Sequence, residues 1–113
     1  MHEMALCNGI LRILEEQAAV QGYGRVTRVW LEVGALSHAE PAALAFCFTA
    51  ATAGTLAEGA VLEIVRPPGQ AWCMDCCATV EIPARAEPCP RCGGYKLQVT
   101  GGDELRVKEL EVE

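Results

Sequence analysis

Trp72-Cys73-Met74-Asp75-Cys76-Cys77 and, after twelve intervening residues, Cys89-Pro90-Arg91-Cys92-Gly93-Gly94 are the stretches on which the reading of this chain turns. Two residues between paired cysteines let a tight turn aim both sulfurs at one point, and two such turns furnish four thiolates to a tetrahedral metal site. The interval contains Thr79-Val80-Glu81-Ile82, long enough for a strand that carries the second turn back to the first, although it is shorter than is usual for this pattern. Four thiolates leave no open coordination position, so Cys73, Cys76, Cys89 and Cys92 predict a structural zinc ion whose binding and the folding of the segment are one event. Iron is the alternative metal for four sulfurs, and would give colour where zinc would not. Four incidental thiols are the bland alternative. Cys77 cannot enter the site without displacing Cys76, which leaves it a spare thiol. Cys7 and Cys47 lie on apolar helix faces, where cysteine is more often a small core residue than a ligand.

Outward from this module, the 113-residue chain has room for one ordinary domain, or a small domain with a stapled module. Half of it is hydrophobic and about a fifth charged, a globular composition. Its net charge of −6 argues against a surface built to neutralise phosphates. Seven cysteines, four of them in Cys-x-x-Cys pairs, point to a reducing compartment and to metal rather than disulfides. With no charged leader before an apolar stretch and no apolar run of membrane-spanning length, the expected location is cytoplasmic.

From Met4 to Val20 the apolar residues recur at steps of three and four, predicting an amphipathic helix that stops near Gly22 and Gly24. Val29, Leu31 and Val33 alternate with Arg28, Trp30 and Glu32 in a strand ended by Gly34. Pro41 opens a second helix reaching about Ala53, with Glu40 as an acid at its start. Leu44, Phe46, Cys47, Phe48 and Ala51 make that helix apolar around much of its circumference, which predicts a core element. Val61 to Arg66 is a short β-rich run ended by Pro67-Pro68-Gly69, where a module boundary falls. Gly101-Gly102 closes the cysteine-bearing segment before a final acidic strand. In it Leu105 and Val107 share one phase of alternation and Leu110 and Val112 the other, which predicts a β-bulge near Lys108-Glu109.

The chain opens Met1-His2-Glu3. The Met1 amine, the deprotonated amide of His2 and the His2 imidazole can chelate a divalent ion in fused rings, with the Glu3 amide completing a plane. Such a nitrogen-rich square suits Ni²⁺ or Cu²⁺. Every donor must lose a proton, so affinity falls as pH falls. A solvated terminus is the plain alternative, as a solvated loop residue is for His38.

Met1-His2-Glu3 and its helix, Val29-Trp30-Leu31-Glu32-Val33-Gly34-Ala35, Leu44-Ala45-Phe46-Cys47-Phe48, Ala57-Glu58-Gly59 and the two cysteine pairs together resemble the HypA/HybF nickel metallochaperones of hydrogenase maturation, closer to the HybF branch. The resemblance covers essentially the whole chain. It implies an α+β fold: a small mixed three-stranded sheet packed with two helices, plus an inserted zinc-ribbon-like subdomain. The nickel-binding domain would be residues 1–68 with 103–113, and the zinc-binding domain 69–102. It further implies that His2 is the essential nickel ligand, joined by the Met1 amine and the amides of His2 and Glu3, and that the four cysteines hold Zn²⁺. The protein would be no enzyme but a carrier of Ni²⁺ to the large subunit of [NiFe]-hydrogenase, working with a HypB-type GTPase and leaving room for a homodimer.

Two other classes compete. A zinc-ribbon adaptor for nucleic acid would want a basic face, yet the segment from Trp72 to Val99 balances Asp75, Glu81 and Glu87 against Arg85, Arg91 and Lys96. A metalloenzyme or rubredoxin-like carrier matches Cys-Pro-x-Cys-Gly locally. A hydrolytic site, however, needs an open position and histidines or carboxylates, and the chain has two histidines and no nucleophile–base set or phosphate loop.

Overall fold

The computed structural model describes residues 2–113, in the order α1 (His2–Gln21), β1 (Val26–Val33), α2 (Pro41–Thr52), β2 (Val61–Val65), β3 (Gly69–Cys73), β4 (Ala78–Ile82), β5 (Leu97–Gly101) and β6 (Leu105–Val112). Strands β2-β1-β6 form one sheet and β4-β3-β5 another. The chain divides into two compact units. Among the described residues the first runs to Leu31 and adds Ala39–Ile64 and Arg106–Glu113; the second takes in Glu32–His38 and Val65–Leu105.

In the first unit α1 buries Cys7, Ile10 and Leu14, the three-and-four spacing of one helix face. It begins two residues earlier than the apolar pattern predicts, so that His2 and Glu3 belong to its first turn. Gly22, at φ +81°, ends it by donating its N–H to Ala18 O at 2.8 Å. Tyr23 then donates its hydroxyl to Leu14 O at 2.9 Å and ties the exit back to the helix.

Pro41 stands at the start of α2 and Gly54, at φ +76°, follows its end. The helix packs on α1 and buries Leu44, Cys47, Phe48 and Thr52. The buried Thr52 hydroxyl is satisfied by Phe48 O at 2.7 Å. The helix is the core element expected, although Phe46, one of the apolar residues that suggested it, is 75% exposed. Apolar content alone does not tell which side of a helix the neighbouring elements cover.

The sheet of the first unit is mixed. Val26 N–H reaches Leu56 O before β2 begins, and Arg28 pairs with Glu63 in its middle, so β1 and β2 advance in the same direction across the α2 connection. Strand β6 runs antiparallel to β1. Its anchors are Glu113 N–H to Arg25 O at 2.9 Å and Gly34 N–H to Glu104 O at 2.8 Å, which keep one offset at both ends of two eight-residue strands. An extra residue in β6 alone would have shifted that offset. Bonded pairs in a regular antiparallel ladder recur every second residue, and Arg25 and Gly34 are nine apart, so the irregularity expected in β6 is shared by β1. Burial passes from Val26 to Val29 in β1, and from Val107 to Leu110 in β6 with Lys108 and Glu109 exposed between.

The second unit is built on an antiparallel sheet with β3 in the middle. Leu36, Ala71, Cys73, Val80, Ile82 and Cys89 form its core. Leu36 enters from the segment after β1, held by its N–H to Gly102 O at 2.8 Å and by Arg85 Nε to its own carbonyl at 3.2 Å. Gly34 and Gly102 permit this crossing: a side chain at Gly34 would collide with the Gly102 carbonyl, and Gly102, at φ +80°, lies against the Pro68 carbonyl.

Candidate metal centre

The β3–β4 hairpin presents the first cysteine pair. Cys73 ends β3 and pairs with Ala78, so the turn consists of Met74, Asp75, Cys76 and Cys77. Within it the Cys76 N–H points at Cys73 Sγ, 3.4 Å away. The second pair sits on a similar turn: Arg91 N–H points at Cys89 Sγ at 3.4 Å, Gly93 N–H bonds Cys89 O at 2.8 Å, and Cys89 N–H bonds Gly94 O at 2.8 Å. Gly93, at φ +72°, lets the chain turn back after Cys92. Met74 N–H to Lys96 O at 3.0 Å fastens the first turn to the entry of β5.

The four sulfurs lie within 4.8 Å of one another. Cys73 Sγ is 3.7 Å from Cys92 Sγ and Cys76 Sγ is 3.9 Å from Cys89 Sγ. A tetrahedron with metal–sulfur bonds of about 2.3 Å has edges of about 3.8 Å, so these two opposite edges match what a zinc-sized ion requires. Cys73 and Cys89 are buried, Cys76 is half-buried and Cys92 exposed. Four thiols so close cannot all ionise without a cation to balance them. Hydrogen bonds with Cys92 and Cys73 push Cys76 up to about 12. Burial opposes ionisation of Cys89, yet the N–H groups of Cys92 and Arg91 bring it down to about 7.

Cys77 takes no part in the cluster. It is exposed, at φ +51°, with its Sγ 3.6 Å from Met74 O. Its place is the left-handed residue that closes the turn, a position the spacing between Cys76 and the start of β4 could have suggested. Cys7 and Cys47 are buried core residues, as expected. Cys7 donates to Leu44 O at 3.5 Å, and burial, reinforced by Cys47 and Glu3, pushes its thiol up to about 11.

At the other candidate site, Met1 lies outside the described residues. His2 is exposed and Glu3 half-buried in the first turn of α1, where backbone N–H groups have no acceptor within the helix. The Glu3 carboxylate is not free: Oε2 accepts the Glu40 N–H at 3.5 Å. The Glu40 carboxylate in turn accepts the Ala43 N–H at 2.8 Å, confirming it as the acid at the start of α2. His38 is an exposed residue of the second unit.

Comparison with known proteins follows the same lines. Residues 1–112 match the family model described as "Hydrogenase/urease nickel incorporation, metallochaperone, hypA". The chain is 62% identical over 113 residues to hydrogenase maturation factor HypA 2 of Bradyrhizobium diazoefficiens, and 61% identical over the same length to hydrogenase maturation factor HypA of Azotobacter chroococcum, with both chains covered in full. In three dimensions it resembles the solution structure of the nickel metallochaperone HypA from Helicobacter pylori, with a TM-score of 0.70, 22% identity, and 97% and 96% of the two chains covered. A second HypA solution structure gives a TM-score of 0.73 at 23% identity, covering 100% and 97%.

Proposed function

We propose, from the premise that this chain belongs to the HypA family of hydrogenase and urease nickel-incorporation metallochaperones, that it binds Ni²⁺ at its N-terminus and delivers it for insertion into the large subunit of [NiFe]-hydrogenase. The family is one of metallochaperones, not enzymes. In this reading His2 supplies the imidazole, and the Met1 amine and the backbone amides of His2 and Glu3 supply the remaining nitrogens. The observation that carries it is the full-length family match, joined to a chain in which His2 and Glu3 begin a well-formed helix. The amide groups of that first turn have no competing hydrogen bond within the helix. Nickel binding displaces protons from amine, amide and imidazole, so acidification favours release and a neutral environment favours loading.

Cys73, Cys76, Cys89 and Cys92 hold a structural Zn²⁺ in the proposed inserted domain, residues 69–102, and the ion supplies fold rather than chemistry there. Residues 1–68 with 103–113 form the nickel-binding domain. The partners are a HypB-type GTPase and the hydrogenase large subunit, with a homodimer compatible with the same assignment. Seven thiols suit a cytoplasmic setting, and among the described residues no helix is long and apolar enough to cross a membrane. An adaptor for nucleic acid is disfavoured by the pairing of two of the cysteine module's three basic residues, since Arg85 lies 3.8 Å from Asp103 and Lys96 3.9 Å from Asp75.

The test is titration of untagged, zinc-loaded protein with Ni²⁺ beside His2→Gln, with total metal analysis of both. Wild-type binding that His2→Gln loses while keeping one zinc supports the two-metal reading. Equal nickel binding by both removes the terminal site.

A further inference from the structure

We propose that Glu3 is a positioning residue for the nickel terminus, its carboxylate completing from α1 the N-terminal cap of α2. This inference rests on the nickel reading for its functional meaning, while the cap itself stands on geometry alone. A capping box uses two reciprocal bonds: the cap residue's side chain takes the amide of the third helical residue, and a Glu or Gln at that third position reaches back to the cap residue's amide. In α2 the first bond is present. Glu40, extended at φ −92°, ψ 121°, takes the Ala43 N–H at 2.8 Å.

The second bond cannot come from α2, because its third residue is Ala43 and has no side-chain acceptor. Glu3 supplies it across the helix pair, its Oε2 accepting the Glu40 N–H at 3.5 Å. Pro41 has no N–H to satisfy. The carboxylate also lies at the end of α2 where the helix dipole favours negative charge. One turn further on, the Cys7 thiol donates to Leu44 O at 3.5 Å and ties the same two helices together again.

A side chain engaged in this way is an anchor and not a nickel ligand, and Glu3 offers the metal its backbone nitrogen alone. Anchoring the residue next to His2 restricts the terminus before the ion arrives, so less conformational freedom is lost on chelation.

The experiment compares wild type, Glu3→Ala, Glu3→Gln and His2→Gln as full-length, zinc-loaded chains. It measures nickel titration, nickel X-ray absorption and amide hydrogen exchange at Glu40. In Glu3→Ala the Glu40 amide should exchange roughly fivefold faster and nickel bind roughly fivefold more weakly, the worth of one lost cap, with an unchanged absorption spectrum. Glu3→Gln retains an oxygen acceptor and should recover most of both. The proposal is overturned if Glu3→Ala leaves nickel affinity and Glu40 exchange at wild-type values. It is also overturned if Ala and Gln lose nickel alike and the spectrum loses an oxygen neighbour, the mark of a carboxylate ligand. His2→Gln separates the two layers: it should abolish nickel binding and leave Glu40 exchange as in wild type. If instead it keeps its nickel, the terminal reading fails, and Glu40 exchange in Glu3→Ala still decides the cap.

Discussion

Removing the metal from the four-cysteine site should melt β3, β4 and β5 while α1 and α2 keep their helicity. The core of the second unit consists of Leu36, Ala71, Cys73, Val80, Ile82 and Cys89, so two of its six members are proposed metal ligands. Its three larger side chains, Leu36, Val80 and Ile82, contribute about 1.5–3 kcal/mol each on burial, together about 5–9 kcal/mol. Structural zinc in small modules is worth about 10–16 kcal/mol at neutral pH. The metal thus outweighs the apolar core, and a sheet of three five-residue strands has little else to hold it. The assay is chelator titration followed by metal analysis, with amide exchange for β3–β5, Trp72 fluorescence, and the helical circular dichroism of α1 and α2. Protection in β3–β5 should fall by orders of magnitude as the last metal leaves, and the helical signal should persist. Metal-free protein with wild-type protection at Ala71 and Val80 would refute the reasoning, because the apolar core would then suffice.

Three further outcomes follow from single residues. Leu36→Ala should destabilise the second unit by about 2–5 kcal/mol without changing its metal content, since Leu36 is 3% exposed and is not one of the four proposed ligands; a lower melting temperature with one zinc per chain checks this. Cys77 occupies φ +51°, a conformation costing a residue with a side chain about 1–2 kcal/mol. Cys77→Gly should therefore be neutral or slightly stabilising and Cys77→Val destabilising, both with full zinc, as read by thermal melts and metal analysis. The Cys7 thiol is raised from 9.0 to about 11, so the fold holds it protonated. Its contribution to stability is fully present below pH 9 and lost as pH rises through 11. At pH 8 iodoacetamide should label exposed Cys77 well before Cys7, in an order read by mass spectrometry.

Much of this molecule is legible locally. The spacing of Cys7, Ile10 and Leu14 sets α1, Pro41 and Gly54 bracket α2, and the two cysteine pairs announce their site, because each signal lies within a turn or two of the structure it specifies. What escapes the sequence is what depends on distant segments meeting. Nothing near Leu36 says that it will be buried with Val80 and Ile82, and nothing in Met1-His2-Glu3 says that Glu3 will cap a helix starting at residue 41. The shared phase change of β1 and β6 escapes for the same reason. Read in β6 alone it looks like a single bulge, and only the bonded ends of both strands show that β1 shares the irregularity.

The two proposed metal functions make opposite demands, and the residues assigned to them divide accordingly. A structural ion must not leave, and Cys73 and Cys89 are buried in the core that the proposed ion would complete, with backbone N–H groups aimed at their sulfurs. A cargo ion must arrive and depart, and the nitrogen donors assigned to it belong to an exposed residue and a chain end. A fully solvated end would lose too much freedom on binding; a fully buried one would not release. On the proposed reading, fixing Glu3 through its side chain to the start of α2, while His2 stays in solvent, would meet both conditions with one hydrogen bond.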